Sequence, residues 1–131
     1  LPFMRGLPDR VPGKVYVLMS HYTFSAGIVS AAAVKKAGGE KVVIVGESPG
    51  DRLRFWSEGG NACLPGSGFC LHYTDGLFDL EHGCEGTPGC YGDQFDVEVG
   101  RLEPEIVAPL TAADYLAARD SAVETVLANL H

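Results

Sequence analysis

The chain has no long apolar run and no concentrated positive charge. Its longest apolar stretch, Ala26 to Val34, is broken by Gly27 and Ser30 and is far shorter than the ~20 residues a membrane-spanning helix needs. No membrane span is expected. Ten Lys and Arg stand against 17 Asp and Glu for a formal net charge of −7, and no basic cluster exceeds Lys35-Lys36. That balance argues against nucleic acid as a partner. Internal repeats and low-complexity tracts are absent as well, which removes solenoid architectures. Neither a charged n-region nor a signal-peptide apolar segment follows Leu1, and the chain reads as a piece of a longer protein.

What is present is the material of one ordinary domain: 131 residues, 46% of them hydrophobic, enough for one core and not for two. Residues 1–13, with prolines at 2, 8 and 12, read as a linker or lead-in. Residues 14–131 are expected to form the domain. Lys14 to Met19 is β-rich and almost continuously apolar, as in a strand buried on both faces of a parallel sheet, and is expected to be central. From Ser25 to Ala37 the alanine content favours helix, Lys35 and Lys36 suit its negative end, and Gly38-Gly39 supplies the stop. Lys41 to Val45 is a second buried strand. Strand, helix and strand make a βαβ unit, right-handed by rule, and this α/β class places Ser25 at the carboxyl edge of the first strand.

Between Gly46 and Gly100 glycines, all four cysteines and Trp56 replace the hydrophobic periodicity. An irregular β excursion is expected, with strands over 52–57, 69–73 and 95–99. Trp56, Phe55, Tyr73 and Phe78 fit either a small core beneath this excursion or a substrate groove, the core being the commoner use. Regularity returns near Pro109. Thr111 to Asp114 and Ser121 to Glu124 both fit the capping box, and Val123, Val126, Leu127 and Leu130 form an apolar helical stripe. A short helix and a longer amphipathic one should close the chain.

Chemistry points to Ser25. It stands where a strand passes into a helix, and the unpaired N–H groups of a helix start can stabilise an oxyanion. Serine is equally a favoured N-cap residue, and Thr23 occupies the place of the first glycine in a G-x-S-x-G elbow. Val17-Leu18-Met19-Ser20, Thr23-Phe24-Ser25-Ala26-Gly27 and Val43-Ile44-Val45-Gly46-Glu47 resemble the nucleophile strand, nucleophile helix and following strand of the C-terminal processing (tail-specific) serine proteases. That family also holds tricorn-type proteases and retinoid-binding repeats. Leu102 to Ile106, Pro109 to Tyr115 and Arg119-Asp120 are similar to its closing segment.

The resemblance implies a crotonase/ClpP-like α/β core with a cysteine-bearing β excursion and C-terminal helices. It implies Ser25 as acylated nucleophile and backbone N–H groups of Ala26 and Gly27 at the oxyanion hole; Glu103 is matched to a later acidic helper, the commoner use of such a residue being a solvated loop carboxylate. Many members take their base from a lysine shortly after the second strand. Here that stretch reads Glu47-Ser48-Pro49-Gly50-Asp51-Arg52-Leu53-Arg54, and arginine stays protonated. Lys35 and Lys36 lie about 15 Å along the helix, and nothing in the sequence fixes His21 toward the hydroxyl. The base is therefore expected from an N-terminal half of the same catalytic domain or from a partner chain. The substrate implied is a peptide or protein, with no cofactor and no metal. The alternative is a non-catalytic binding or scaffolding module in which Ser25 only caps its helix. A half-domain leaves a sheet edge uncovered, so a homo-oligomer is a further expectation.

Six residues separate Cys63 from Cys70, and five separate Cys84 from Cys90. An even count in a glycine-rich segment points to disulfides and a secreted or periplasmic setting. Reduced structural cysteines, or zinc held with His72 or His82, are the alternatives, although neither spacing is the tight C-x-x-C of common zinc modules.

Overall fold

The computed structural model describes residues 12–91 and 97–130. Strand β1 (Val15–Met19), helix α1 (Ala26–Gly38) and strand β2 (Val42–Gly46) form the βαβ unit, with a 3₁₀ turn, Gly39–Lys41, between the last two. β1 and β2 are parallel, Val15 facing Val42 through to Met19 facing Gly46. A two-residue strand β7 (Ile106–Val107) lies parallel on the other side of β2. The sheet order is β1-β2-β7, so β2 is the central strand.

That order corrects the expectation of a central, doubly buried β1. Both strands are apolar runs, but only β2 has neighbours on both sides among the described residues. Val42, Ile44 and Val45 are buried, whereas Leu18 of β1 is 44% exposed and Val15, Tyr16 and Val17 are half-buried. α1 packs on the sheet through Ile28, Val29, Ala31, Ala32 and Ala33. The small alanines let the helix axis approach closely while Ile28 and Val29 fill the core.

The excursion is folded into two small antiparallel pairs. β3 (Arg54–Ser57) pairs with β6 (Gly76–Asp79), and β4 (Gly60–Cys63) pairs with β5 (Cys70–Tyr73). β3 alternates, its Phe55 and Ser57 half-buried and its Arg54 and Trp56 outward. Phe55, Phe78 and Tyr91 stack in a row with ring centroids 5.1 Å apart at each step. Phe55 and Phe78 thus serve the core, while Trp56 and Tyr73 lie largely exposed. Sequence reading anticipated β3 and β5 within a residue or two and missed β4, β6 and β7. In the expected strand over 95–99, residues 95 and 96 lie outside the described residues. Val97, Glu98 and Val99 are not strand, although Val97 is buried and Val99 N–H donates to the Leu80 carbonyl at 2.9 Å.

Asp79 is the buried charged residue of the described core. Its Oδ1 accepts from the backbone N–H of His82 at 2.9 Å and of Glu81 at 3.2 Å, and its Oδ2 meets Arg54 Nε at 3.3 Å. Burial pushes its pKa up, but the His82 backbone N–H, the nearby His82 ring and the Glu81 N–H outweigh that and hold it below the usual carboxylate value.

Helix α2 (Ala112–Leu116) begins with the anticipated capping box: Thr111 Oγ1 accepts from Asp114 N–H at 3.1 Å, and the Asp114 carboxylate reaches back to Thr111. Helix α3 (Ser121–Ala128) lies against β1 and β2. Its cap is Asp120 rather than Ser121. The Asp120 carboxylate takes the N–H groups of Ala122 and Val123, both at 3.0 Å, while Ser121 Oγ donates to the Pro109 carbonyl. The anticipated stripe is largely turned outward, with Val123, Leu127 and Leu130 exposed, and the half-buried face is Ser121, Ala122, Thr125 and Val126.

Candidate active site

The segment from β1 into α1 is a tight turn braced from within and from outside. Thr23 N–H donates to the Ser20 carbonyl at 2.8 Å, and Thr23 Oγ1 accepts from Ser20 N–H at 3.1 Å. Glu47 N–H reaches the Met19 carbonyl and Gly50 N–H the Thr23 carbonyl, each at 3.0 Å. Glycines make this approach possible. At Gly46, with φ 123°, a Cβ would collide with the Met19 carbonyl oxygen, and at Gly50 with that of His21. The loop after β2 is thereby pressed onto the turn that delivers Ser25.

Ser25 itself has φ 50° and ψ −122°. An L-residue with a Cβ reaches that region only under strain, at a cost of order 1–3 kcal/mol. The surrounding hydrogen bonds impose it: Gly27 N–H donates to the Phe24 carbonyl at 3.0 Å and Val29 N–H to the Ser25 carbonyl at 3.1 Å. The Ser25 hydroxyl makes no capping hydrogen bond. Ser25 occupies the N-cap position, then, without performing the side-chain function of one.

The engagement of Gly27 bears on the expected oxyanion donors, Ala26 and Gly27. With Gly27 N–H committed to Phe24, Ala26 is the member of that pair whose N–H is left open among the described residues, being the first residue of the helix.

Ser25 opens into a cavity of about 290 Å³. One wall is the start of α1, with Ser25, Ala26, Val29 and Ser30, and the other is the β3–β6 pair, with Phe55, Ser57, Glu58 and Phe78. A separate cavity of about 310 Å³ lies at the carboxyl ends of β1 and β2, where Met19, Ser20, Thr23 and Glu47 meet Arg119 and Asp120.

The other candidates are placed elsewhere. Glu103 accepts a hydrogen bond from Ser48 Oγ and lines a third cavity with Arg52 and His82, not the one at Ser25. Lys35 donates to the Val42 carbonyl at 2.6 Å and pairs with Glu105. Burial raises the Glu105 pKa, but Lys35 and the Ile44 N–H hold it below the ordinary value, so Lys35 is tied into the frame. His21, which nothing in the sequence orients, is oriented by the fold: its Nδ1 lies 3.1 Å from Glu47 Oε2. It does not line the Ser25 cavity. Sequence reading overlooked Glu58, whose φ of 57° is a second strained non-glycine position on the same cavity. Its only signal is the Glu58-Gly59-Gly60 succession, which reads as a plain turn.

Cys63 is bonded to Cys70, a directly cross-strand position of the β4–β5 hairpin, and Cys84 to Cys90. The zinc alternative thus loses its thiolates. His72 Nδ1 is 3.2 Å from Asn61 Oδ1 instead, and His82 Nδ1 is 3.3 Å from Asp79. No helix among the described residues is long and apolar enough to cross a membrane. No protein-family model matches the chain, and no curated protein matches it either. The site's own geometry therefore carries the functional reading.

Proposed function

We propose that Ser25 is the nucleophile of a serine peptidase-like site on a crotonase/ClpP-like α/β frame, acting on a peptide or protein. The observation that carries this is the backbone of Ser25. A non-glycine residue held at φ 50° and ψ −122°, at a strand-to-helix junction, with its hydroxyl uncommitted among the described residues and beside a cavity, has the backbone geometry that presents a nucleophile. The competing role, a side-chain N-cap, lacks its hydrogen bond.

In the reaction Ser25 Oγ attacks the scissile carbonyl carbon and its proton passes to a general base. The carbonyl oxygen, now negative, faces the Ala26 N–H at the positive end of α1. Collapse of the tetrahedral species breaks the C–N bond, the base returns the proton to the leaving amine, and water then hydrolyses the Ser25 ester. Glu58 is the cavity's ionisable residue, and lysine is absent from its lining. The base is supplied by an additional segment or a partner chain, for which the edge of β1 that is unpaired among the described residues offers a docking strand. The two disulfides fit a secreted or periplasmic home.

A fluorophosphonate probe tests the reading on the longest natural form of the protein, beside a Ser25→Ala control. Labelling that depends on Ser25 is expected. Peptide turnover without such labelling would sink the assignment.

A further inference from the structure

Of the three non-glycine residues with positive φ among those described, Ser25, Glu58 and Ala118, two face one cavity. Glu58, at φ 57°, follows β3 and precedes Gly59, whose own φ of 108° presses the chain against the Tyr73 carbonyl. The turn into the β4–β5 hairpin therefore fixes where Glu58 stands.

Its carboxylate has no ion pair or hydrogen bond among the described residues. Cationic side chains are absent from the lining as well, the other contributors being apolar or hydroxylated. Val29, Phe55 and Phe78 give the cavity apolar walls, Ser25, Ser30 and Ser57 line it with hydroxyls, and Glu58 is its charged group. Such a volume, equal to a sphere about 8 Å across, is at the small end for ligand sites and holds one long side chain.

We propose that this cavity is a specificity pocket for a lysine or arginine side chain of the peptide substrate, with Glu58 as the residue that selects its charge. The inference rests on the peptidase reading only for the peptide that carries the side chain. Lysine and arginine lay an aliphatic stem along apolar surface while keeping the charged head at a polar rim. Phe55, Phe78 and Val29 provide the surface, and the unpartnered Glu58 provides the rim. A wholly apolar side chain would bury its body equally well and leave the carboxylate without a partner. An acidic one would be repelled.

Two readouts separate this pocket from the nucleophile. Fluorescein-labelled hexapeptides that differ at one central residue, lysine, arginine, norleucine or glutamate, are titrated by anisotropy into the full chain carrying Ser25→Ala, which removes turnover. Lysine and arginine peptides should bind about two- to fivefold tighter than the norleucine peptide, the scale of an ion pair to an exposed carboxylate. Glu58→Gln should bring that ratio to about one, and Glu58→Lys should turn the preference toward glutamate. High salt should shrink the ratio, since Glu58 is exposed. Equal binding of norleucine and lysine peptides, an unchanged ratio in Glu58→Gln, or no measurable binding of any peptide would overturn the proposal. Fluorophosphonate labelling of the wild-type chain reports Ser25 alone. Labelling without a charge preference refutes the pocket and keeps the nucleophile, and a Glu58-dependent preference with peptide turnover that proceeds without Ser25-dependent labelling does the reverse.

Discussion

Replacing Ser25 by glycine should make the protein more stable while removing its nucleophile. At φ 50° and ψ −122° the residue stores strain of order 1–3 kcal/mol. Glycine adopts this backbone without a Cβ penalty, but it frees the unfolded chain at a cost of roughly 0.4–1 kcal/mol. The balance is a gain of about 1 kcal/mol, or roughly 3–5 °C in Tm for a chain of this size. Ser25→Ala keeps the Cβ, and hence the strain, and forfeits no capping hydrogen bond because none is made. It should lie within about 0.5 kcal/mol of the wild type. A serine that capped α1 through its side chain would give another order: alanine would cost about 1 kcal/mol and glycine a few tenths, both below the wild type. Urea melts of the three proteins at one temperature, read by far-UV circular dichroism, distinguish the orders. A Ser25→Ala loss near 1 kcal/mol, or a glycine variant less stable than the wild type, would refute the argument from strain.

Three further outcomes follow from the frame around the site. Asp79→Ala should lower stability by about 2 kcal/mol in a calorimetric melt, since it strands the His82 and Glu81 N–H groups that a buried carboxylate now satisfies; a shift under 2 °C would contradict this. Asp79 has a depressed folded-state pKa, so its contribution is complete above its unfolded value near 3.9 and is lost as pH falls through the lower folded value. Melts below pH 4 should therefore show a slope that Asp79→Asn flattens, and an identical slope in both proteins would exclude Asp79 as the cause. Reducing Cys63–Cys70 should raise hydrogen exchange in β4 and β5, which are almost wholly exposed, and leave β2 protected. Equal loss of protection in both would show that the hairpin and core unfold together.

The βαβ unit was legible because Val15–Met19 and Val42–Gly46 are unbroken apolar runs flanking a thirteen-residue, alanine-rich segment that ends at glycine. Strand order was not. Two apolar runs look alike in sequence, and the neighbour that makes β2 central is the two-residue β7, too short to leave a pattern. The cap of α3 shifted by one residue because Asp120 and Ser121 are both good caps, and the choice was made by Ser121 turning to the Pro109 carbonyl. Ser25 was visible as a position, while its strain was not, since serine carries no mark of positive φ. Glu58 was hidden for a related reason. Its place on the cavity depends on β3 pairing with a strand some twenty residues later, which no local signal near Glu58 announces.

The edge of β1 that is open among the described residues limits how the protein can associate with itself. Were two copies to meet antiparallel along that edge, the sheets would merge into one of six strands, ordered β7-β2-β1-β1-β2-β7. Its outer rims would be two-residue strands, too short to recruit another copy, so growth would end at a symmetric pair and not continue into a fibre. The same pairing would occupy the edge on which a base-bearing segment is proposed to dock. Concentration alone would then silence the site, and dilution would restore it.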